Sequence, residues 1–93
     1  MAIEHVAGRK SKDIMLYALS TCGWCKKTRA LLEELGVAYD YEYIDLLQGE
    51  EREKTVAELR KWNPYGNLPT VVIDHQKCIV GFQEDALREA LKA

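Results

Sequence analysis

The chain has 93 residues, enough for one domain with its own core, and its 13 basic and 15 acidic residues leave a net charge of −2. It has no run of five or more basic residues and no apolar segment of about 18 residues, so we expect neither a nucleic-acid-binding protein nor one that acts at a membrane. Residues 1–12 lack the apolar segment of a secretory signal, and we therefore expect a cytoplasmic protein.

Residues 1–13 form a mixed segment that precedes the first clear element. Its apolar residues Ile3, Val6 and Ala7 are compatible with an extra edge strand and equally with a loose tail. We treat this segment as an amino-terminal extension, followed by one domain over residues 14–93.

A strand is predicted over residues 14–19, where a near-continuous apolar run is typical of a central strand buried on both faces. The next segment carries side chains at helical spacing on one face, and these are Trp24, Thr28, Leu31, Leu32 and Leu35. Gly36 is well placed to end this helix in the left-handed conformation.

Residues 37–45 alternate Tyr39, Tyr41 and Tyr43 with polar residues, which predicts a second strand whose tyrosines serve packing. Residues 48–61 have acidic side chains near the start and basic ones near the end, the order that a helix dipole favours.

Two strands follow, over residues 70–74 and 78–80, joined by a tight turn. The chain closes with an amphipathic helix that carries Phe82, Ala86, Leu87, Ala90 and Leu91. The order of elements is therefore β-α-β-α-β-β-α. Because the first two strands are joined through a helix, they should be parallel, and the last two should be antiparallel. The expected fold is an α/β domain with a mixed four-stranded sheet and helices on both faces.

The pair Cys22 and Cys25 lies where the strand pattern gives way to the helix pattern. The first turn of a helix has unpaired N–H groups and a partial positive charge, which favour a thiolate over a thiol. Thr21 is a suitable N-cap, and Lys26 and Lys27 should add thiolate-stabilising positive charge. The pair predicts thiol–disulfide exchange, with Cys22 as the attacking thiolate and Cys25 as the resolving thiol.

The same two cysteines could instead ligate a metal ion. Tetrahedral zinc needs four ligands, however, and the other candidates, Cys78, His5 and His75, have no paired spacing. We interpret Cys78 as a packed or edge-strand cysteine. We expect no resident metal and no cofactor.

Three pieces of the sequence resemble the glutaredoxins, a family within the thioredoxin fold. They are Thr-Cys-Gly-Trp-Cys at residues 21–25, Leu-Pro-Thr-Val-Val-Ile-Asp at 68–74 and Val-Gly-Phe-Gln-Glu-Asp-Ala-Leu at 80–87. The resemblance covers residues 14–91. Within the family, Tyr-Ala-Leu-Ser-Thr-Cys-Gly-Trp-Cys and the later Trp-Asn-Pro are similar to the methanoredoxin-like glutaredoxins of anaerobic archaea and bacteria.

The resemblance implies a glutaredoxin-like protein-disulfide oxidoreductase that reduces protein or small-molecule disulfides and takes part in electron transport and cell redox homeostasis. It also implies that Pro69 follows a cis peptide bond and that substrate main chain pairs with Leu68. The substrate-binding residues it implies are Thr21, Gly23, Trp24, Leu68, Pro69, Gly81 and Phe82. Because some glutaredoxins bridge an iron–sulfur centre between two chains, an iron–sulfur or metal carrier is the alternative function.

The electron donor is left open by three departures from common glutaredoxins. Gly23 and Trp24 stand where many have Pro-Tyr or Pro-Phe, Leu19 replaces a lysine that helps hold glutathione, and residues 80–85 replace a Gly-Gly-x-Asp-Asp element. The donor is therefore a low-molecular-weight thiol, glutathione or coenzyme M, or a thioredoxin-reductase-type flavoprotein. We expect the protein to act as a monomer.

Overall fold

The computed structural model describes residues 3–10 and 12–91. Residues 1, 2 and 11 of the predicted extension and residues 92 and 93 of the predicted domain therefore lie outside the described residues. The strands are β1 (Glu4–Val6), β2 (Ile14–Ala18), β3 (Tyr39–Tyr43), β4 (Thr70–Ile73) and β5 (Lys77–Val80). The helices are α1 (Gly23–Glu34), α2 (Gly49–Trp62) and α3 (Glu84–Leu91), and one 3₁₀ turn (Ile44–Leu46) follows β3. None of the helices described is both long and apolar enough to cross a membrane.

The strands form one sheet in the order β1-β3-β2-β4-β5. As predicted, β2 and β3 are parallel, and β4 and β5 are antiparallel. The predicted number of four strands is wrong, because β1 pairs antiparallel with the outer edge of β3 and makes a fifth strand. An edge strand leaves main-chain groups unpaired, and the short β1 satisfies those of β3.

Helices cover both faces of the sheet, as the sequence predicts. On one face α1 and α3 bury Leu32 and Leu87 against Leu16 and Val71 of the two central strands. On the other face α2 buries Leu59 in a smaller cluster that also contains Tyr17, Ile44 and Val72. The expectation that β2 is buried on both faces is confirmed, because Leu16 is 0% exposed and Tyr17 only 7%.

The end of α1 has the predicted geometry. Gly36 has φ +70°, and the amides of Gly36 and Val37 return to the carbonyls of Glu33 and Leu32. This pattern satisfies carbonyl groups that the helix would otherwise leave unpaired.

The segment before β2 packs against the loop after α1. Arg9 N donates to Gly36 O at 2.7 Å, and Ala38 N donates to Arg9 O at 2.9 Å. A Cβ atom added at Gly8 would lie 2.7 Å from the carbonyl carbon of Val37, so only glycine fits there without a shift of the backbone. This part of the extension is therefore fitted to the domain.

The tyrosines of β3 enclose an arginine that the sequence analysis missed. Arg29 Nε donates to Tyr39 Oη at 3.1 Å, its Nη1 donates to Tyr43 Oη at 2.7 Å, and its Cζ lies 4.0 Å from the ring centroid of Tyr41. The tyrosines thus pack α1 against β3.

Candidate functional site

The two cysteines lie at the amino-terminal end of α1. Cys22 is the N-cap residue, with extended backbone angles, and its Sγ accepts a hydrogen bond from Cys25 N at 3.2 Å. The prediction that Cys22 lies at a helix N-terminus is confirmed, but the assignment of Thr21 as the N-cap is wrong. The Cys22 sulfur itself takes the capping role, because it is the side-chain acceptor that reaches an unpaired N–H of the first turn.

The two thiols have unequal environments. Both are free, but Cys22 is half-buried whereas Cys25 is only 1% exposed. Burial and a hydrogen bond with the Cys22 side chain raise the pKa of Cys25 to about 12. Cys25 is therefore a protonated thiol at neutral pH, while the sulfur of Cys22 lies at the positive end of the helix dipole.

The loop that leads into Cys22 is held by Asp45. Ser20 N donates to Asp45 Oδ1 at 2.8 Å, and Ser20 Oγ donates to Asp45 Oδ2 at 2.5 Å. These hydrogen bonds hold the pKa of Asp45 below its usual value. Sequence reasoning missed this contact, although the register of the parallel pair β2 and β3 would have predicted it. Ala18 is opposite Tyr43, so residues two positions further along each chain are also neighbours.

A second loop carries Pro69, which is buried and follows a cis peptide bond, as the family resemblance implies. Gly81 N donates to Pro69 O at 2.8 Å, and this bond ties the proline loop to the segment after β5. The loop is fixed from its other side by Asn67 O, which accepts from Asn63 Nδ2 at 3.0 Å and from Thr70 Oγ1 at 2.7 Å.

An aromatic contact joins the cysteine motif to the Gly81-Phe82 segment. The rings of Trp24 and Phe82 are stacked, with centroids 5.9 Å apart. Lys27 Nζ lies 4.6 Å from the centroid of the Trp24 ring. The structure thus connects the three quoted sequence pieces: Trp24 contacts Phe82, and Gly81 next to it binds the main chain of Pro69.

The residues around this cluster differ in exposure. Trp24 is 58% exposed, and Thr21, Gly23 and Lys26 are also exposed. Leu68 and Phe82 are half-buried and pack against the same core cluster as Cys22. Exposed apolar surface beside a half-buried cysteine is suited to contact with another molecule.

The other candidate ligands lie apart from the cysteine pair. Cys78 packs on the α2 face of the sheet, where its Sγ donates to Trp62 O at 3.1 Å, whereas Cys25 packs on the α1 face. His5 Nδ1 lies 2.6 Å from Asp40 Oδ1 at the β1 edge, a partner that the sequence did not reveal. Among the described residues, no three His, Cys, Asp or Glu side chains are grouped so that they could hold a metal ion.

Comparison with known proteins gives one consistent result. Residues 14–78 match the family model described as Glutaredoxin. The crystal structure of a glutaredoxin from Methanosarcina mazei Go1 has a TM-score of 0.91 and 46% sequence identity, with 100% of this chain and 90% of that chain covered. The methanoredoxin of Methanosarcina acetivorans has a TM-score of 0.89 and 43% identity, with 92% of this chain and 90% of that chain covered.

A sequence relative points the same way. Glutaredoxin 1 of Rickettsia conorii is 34% identical over 62 residues, which are 67% of this chain and 58% of that protein. The predicted resemblance, including its methanoredoxin-like character, and the thioredoxin-like α/β fold are confirmed. The chain belongs to the glutaredoxin family.

Proposed function

We propose that this protein is a thiol–disulfide oxidoreductase that reduces protein or small-molecule disulfides by dithiol exchange through Cys22 and Cys25. Membership of the glutaredoxin family implies thiol and disulfide substrates. The observation that carries the proposal is the unequal pair of thiols. Cys22 is only half-buried and accepts an N–H at a helix N-terminus, while Cys25 is buried, protonated and one helical turn further along.

In the first step the Cys22 thiolate attacks one sulfur of the substrate disulfide. A Cys22–substrate S–S bond forms as the substrate S–S bond breaks, and the second substrate sulfur leaves as a thiolate that takes up a proton. The hydrogen bond from Cys25 N and the dipole of α1 favour the Cys22 anion before attack.

In the second step Cys25 attacks the Cys22 sulfur. Once Cys22 is in the mixed disulfide, its negative charge is gone, and with it one cause of the raised pKa of Cys25. As the Cys22–substrate bond breaks, Cys25 can pass its proton to the first substrate sulfur, the one that was bonded to Cys22. The products are a substrate dithiol and a Cys22–Cys25 disulfide, so two electrons have moved to the substrate.

We assign the substrate surface to residues around Cys22, namely Thr21, Gly23, Trp24, Leu68, Pro69, Gly81 and Phe82. The Trp24–Phe82 stack and the Gly81–Pro69 hydrogen bond support this assignment, because they hold the segments side by side. In the described part of the chain, the main-chain bonds outside helices and strands do not involve Leu68, so its amide and carbonyl are available to a substrate strand. Lys26 and Lys27 add positive charge to this end of α1.

The oxidised pair needs an electron donor. We propose a low-molecular-weight thiol, glutathione or coenzyme M, or a thioredoxin-reductase-type flavoprotein, acting on a monomer in the cytoplasm. The reducing cytoplasm suits a free cysteine pair that works by exchange. We further propose that residues 14–93 are the working domain and residues 1–13 an extension, which supports the domain through the Arg9 contacts.

Single-cysteine variants test this function with a disulfide-linked peptide as substrate. Cys22→Ser should abolish turnover, and Cys25→Ser should accumulate a mixed disulfide of the mass of protein plus half the substrate. Cys78→Ser is the matched control and should retain activity, because Cys78 packs on the other face of the sheet. Loss of activity in both variants with no trapped adduct would contradict the assigned roles. Stoichiometric iron after anaerobic purification would instead support the carrier alternative.

A further inference from the structure

A cavity lies on the face of the sheet opposite the cysteine pair, between β2, β3 and the amino-terminal half of α2. It has a volume of about 840 Å³, within the range of about 300–1,000 Å³ typical of small-molecule sites. We call it the α2 groove. Its lining includes Met15, Tyr17, Glu42 and Val72 of the sheet and Glu50, Glu51, Lys54, Thr55 and Glu58 of α2.

The groove exists because the two halves of α2 differ. The second half packs Val56, Leu59 and Trp62 into the apolar cluster on this face. The first half presents Glu51, Lys54 and Thr55 to the same side, and these polar side chains cannot close an apolar core against the sheet. A space therefore remains between this half of the helix and the strands.

Two polar side chains in the groove are more than nine-tenths buried. Tyr17 is 7% exposed, and within the described residues its hydroxyl has no hydrogen-bond partner. Glu42 is 5% exposed and accepts a hydrogen bond from the Thr55 side chain. Burial raises the pKa of both groups, and the pKa of Tyr17 is raised further by Glu58 and Glu42. The Tyr17 hydroxyl could therefore accept a hydrogen bond from a ligand in the groove, and a positively charged donor would also offset the burial of Glu42.

The groove is strongly acidic. Its acidic lining residues are Asp13, Asp40, Glu42, Glu50, Glu51 and Glu58, and its basic ones are Lys54 and His75. Asp40 is already paired with His5, and Glu58 accepts a hydrogen bond from Lys61 at the exposed rim. Met15 and Val72 add apolar surface between these charges. Such a lining disfavours anions, and a neutral apolar ligand would leave the Tyr17 hydroxyl without a partner and the acidic charges of the groove unneutralised.

We propose that the α2 groove binds a small aliphatic polyamine, with one ammonium group donating to the Glu42 carboxylate and the Tyr17 hydroxyl. The methylene chain lies against Met15 and Val72, and the outer ammonium groups face Glu50, Glu51 and Glu58 at the rim. A metal ion fits less well, because no three acidic, His or Cys side chains of the described chain converge on one point. This ligand site is separate from the exchange chemistry of Cys22 and does not depend on it.

Titration of the reduced full chain with spermidine tests the proposal. Calorimetry should show saturable one-to-one binding, and amide NMR shifts should be confined to the strands and helix around Tyr17, Glu42 and Thr55. Glu42→Gln should weaken binding about tenfold or more, because it removes a charge-assisted hydrogen bond. Tyr17→Phe should weaken it by a smaller factor.

Two further variants keep the test decisive if Glu42→Gln does not fold. Glu58→Gln removes a charge from the exposed rim and should weaken spermidine several-fold. Glu53→Gln removes the same charge from the same helix outside the groove lining, and it should leave affinity within about twofold.

Several results would overturn the proposal. They are the absence of saturable spermidine binding, equal losses in Glu58→Gln and Glu53→Gln, and equally tight binding of the uncharged 1,8-octanediol. Binding of a lysine-rich peptide in the groove without binding of spermidine would also overturn it, in favour of a protein partner.

Discussion

Ser20 and Asp45 are joined by two hydrogen bonds, one from the main-chain amide and one from the hydroxyl of Ser20, at 2.8 and 2.5 Å. Ser20 lies two residues before Cys22, and Asp45 lies two residues after β3. The contact therefore ties the loop that enters α1 to the neighbouring parallel strand. It fixes the position from which the Cys22 sulfur is presented.

Asp45→Ala should lower the rate of disulfide reduction several-fold and destabilise the fold, because both acceptors of Ser20 are lost. Since the pKa of Asp45 is lowered in the folded protein, its stabilising effect is complete above its usual value of 3.8 and is lost as the pH falls through the folded pKa. Urea unfolding of both proteins at pH 6 and pH 3 measures this. A stability difference that is the same at both pH values would contradict the account.

Glu42→Gln should stabilise the protein at pH 8. Burial raises the pKa of Glu42 above its usual value of 4.5, so ionising this group costs the folded state free energy at higher pH. That cost disappears as the pH falls through the raised pKa toward 4.5, and the advantage of the variant should shrink with it. Urea midpoints across this range measure the effect, with Glu53→Gln as control. If the variant were less stable than the wild type at pH 8, favourable interactions of the ionised Glu42 in the folded protein would outweigh the cost of burying its charge, which would contradict the account.

Phe82→Ala should lower kcat/KM for a disulfide-linked peptide about three- to tenfold, because it removes the aromatic support of Trp24 at the substrate surface. Stopped-flow measurement of the exchange step gives the rate. Phe82→Tyr keeps the stacked ring and is the matched control. Equal kinetics for the alanine and tyrosine variants would show that the stack does not serve substrate contact.

Leu32→Ala should destabilise the protein by about 2–5 kcal/mol, the usual range for a leucine in a packed core. Leu32 is 0% exposed between α1 and the sheet, whereas Leu46 is 63% exposed. Leu46→Ala is therefore the control and should change the free energy of unfolding by about 0.5 kcal/mol or less. Similar losses in both variants would contradict the described core.

The sequence predicted those features that are determined by the local pattern of residues. The apolar run of β2, the helical spacing of α1 and the glycine at position 36 each fix their own segment, and the structure confirms them. The location of Cys22 at a helix N-terminus follows from the junction of two such patterns. The N-cap was misassigned because a sulfur is a rarer capping acceptor than the hydroxyl of Thr21.

What the sequence did not reveal depends on contacts between distant segments. The strand β1 has three residues, too few to show an alternating pattern of apolar and polar side chains. It forms because β3 has an edge with which it can pair. The Ser20–Asp45 contact depends on the register of a parallel pair. The burial of Glu42 follows from where α2 lies over the sheet, although its position in an alternating strand resembles that of a solvent-exposed residue.

Alkylation of the reduced protein tests the central claim, the inequality of the two thiols, most directly. The protein is treated with iodoacetamide at pH 7, and the modification of each cysteine is followed by mass spectrometry of its peptides. The account predicts that Cys22 is modified while Cys25 stays unmodified until urea unfolds the protein. Cys25 is protected because it is buried and its pKa is raised to about 12. Modification of Cys25 at the same rate as Cys22, or before it, would contradict the account.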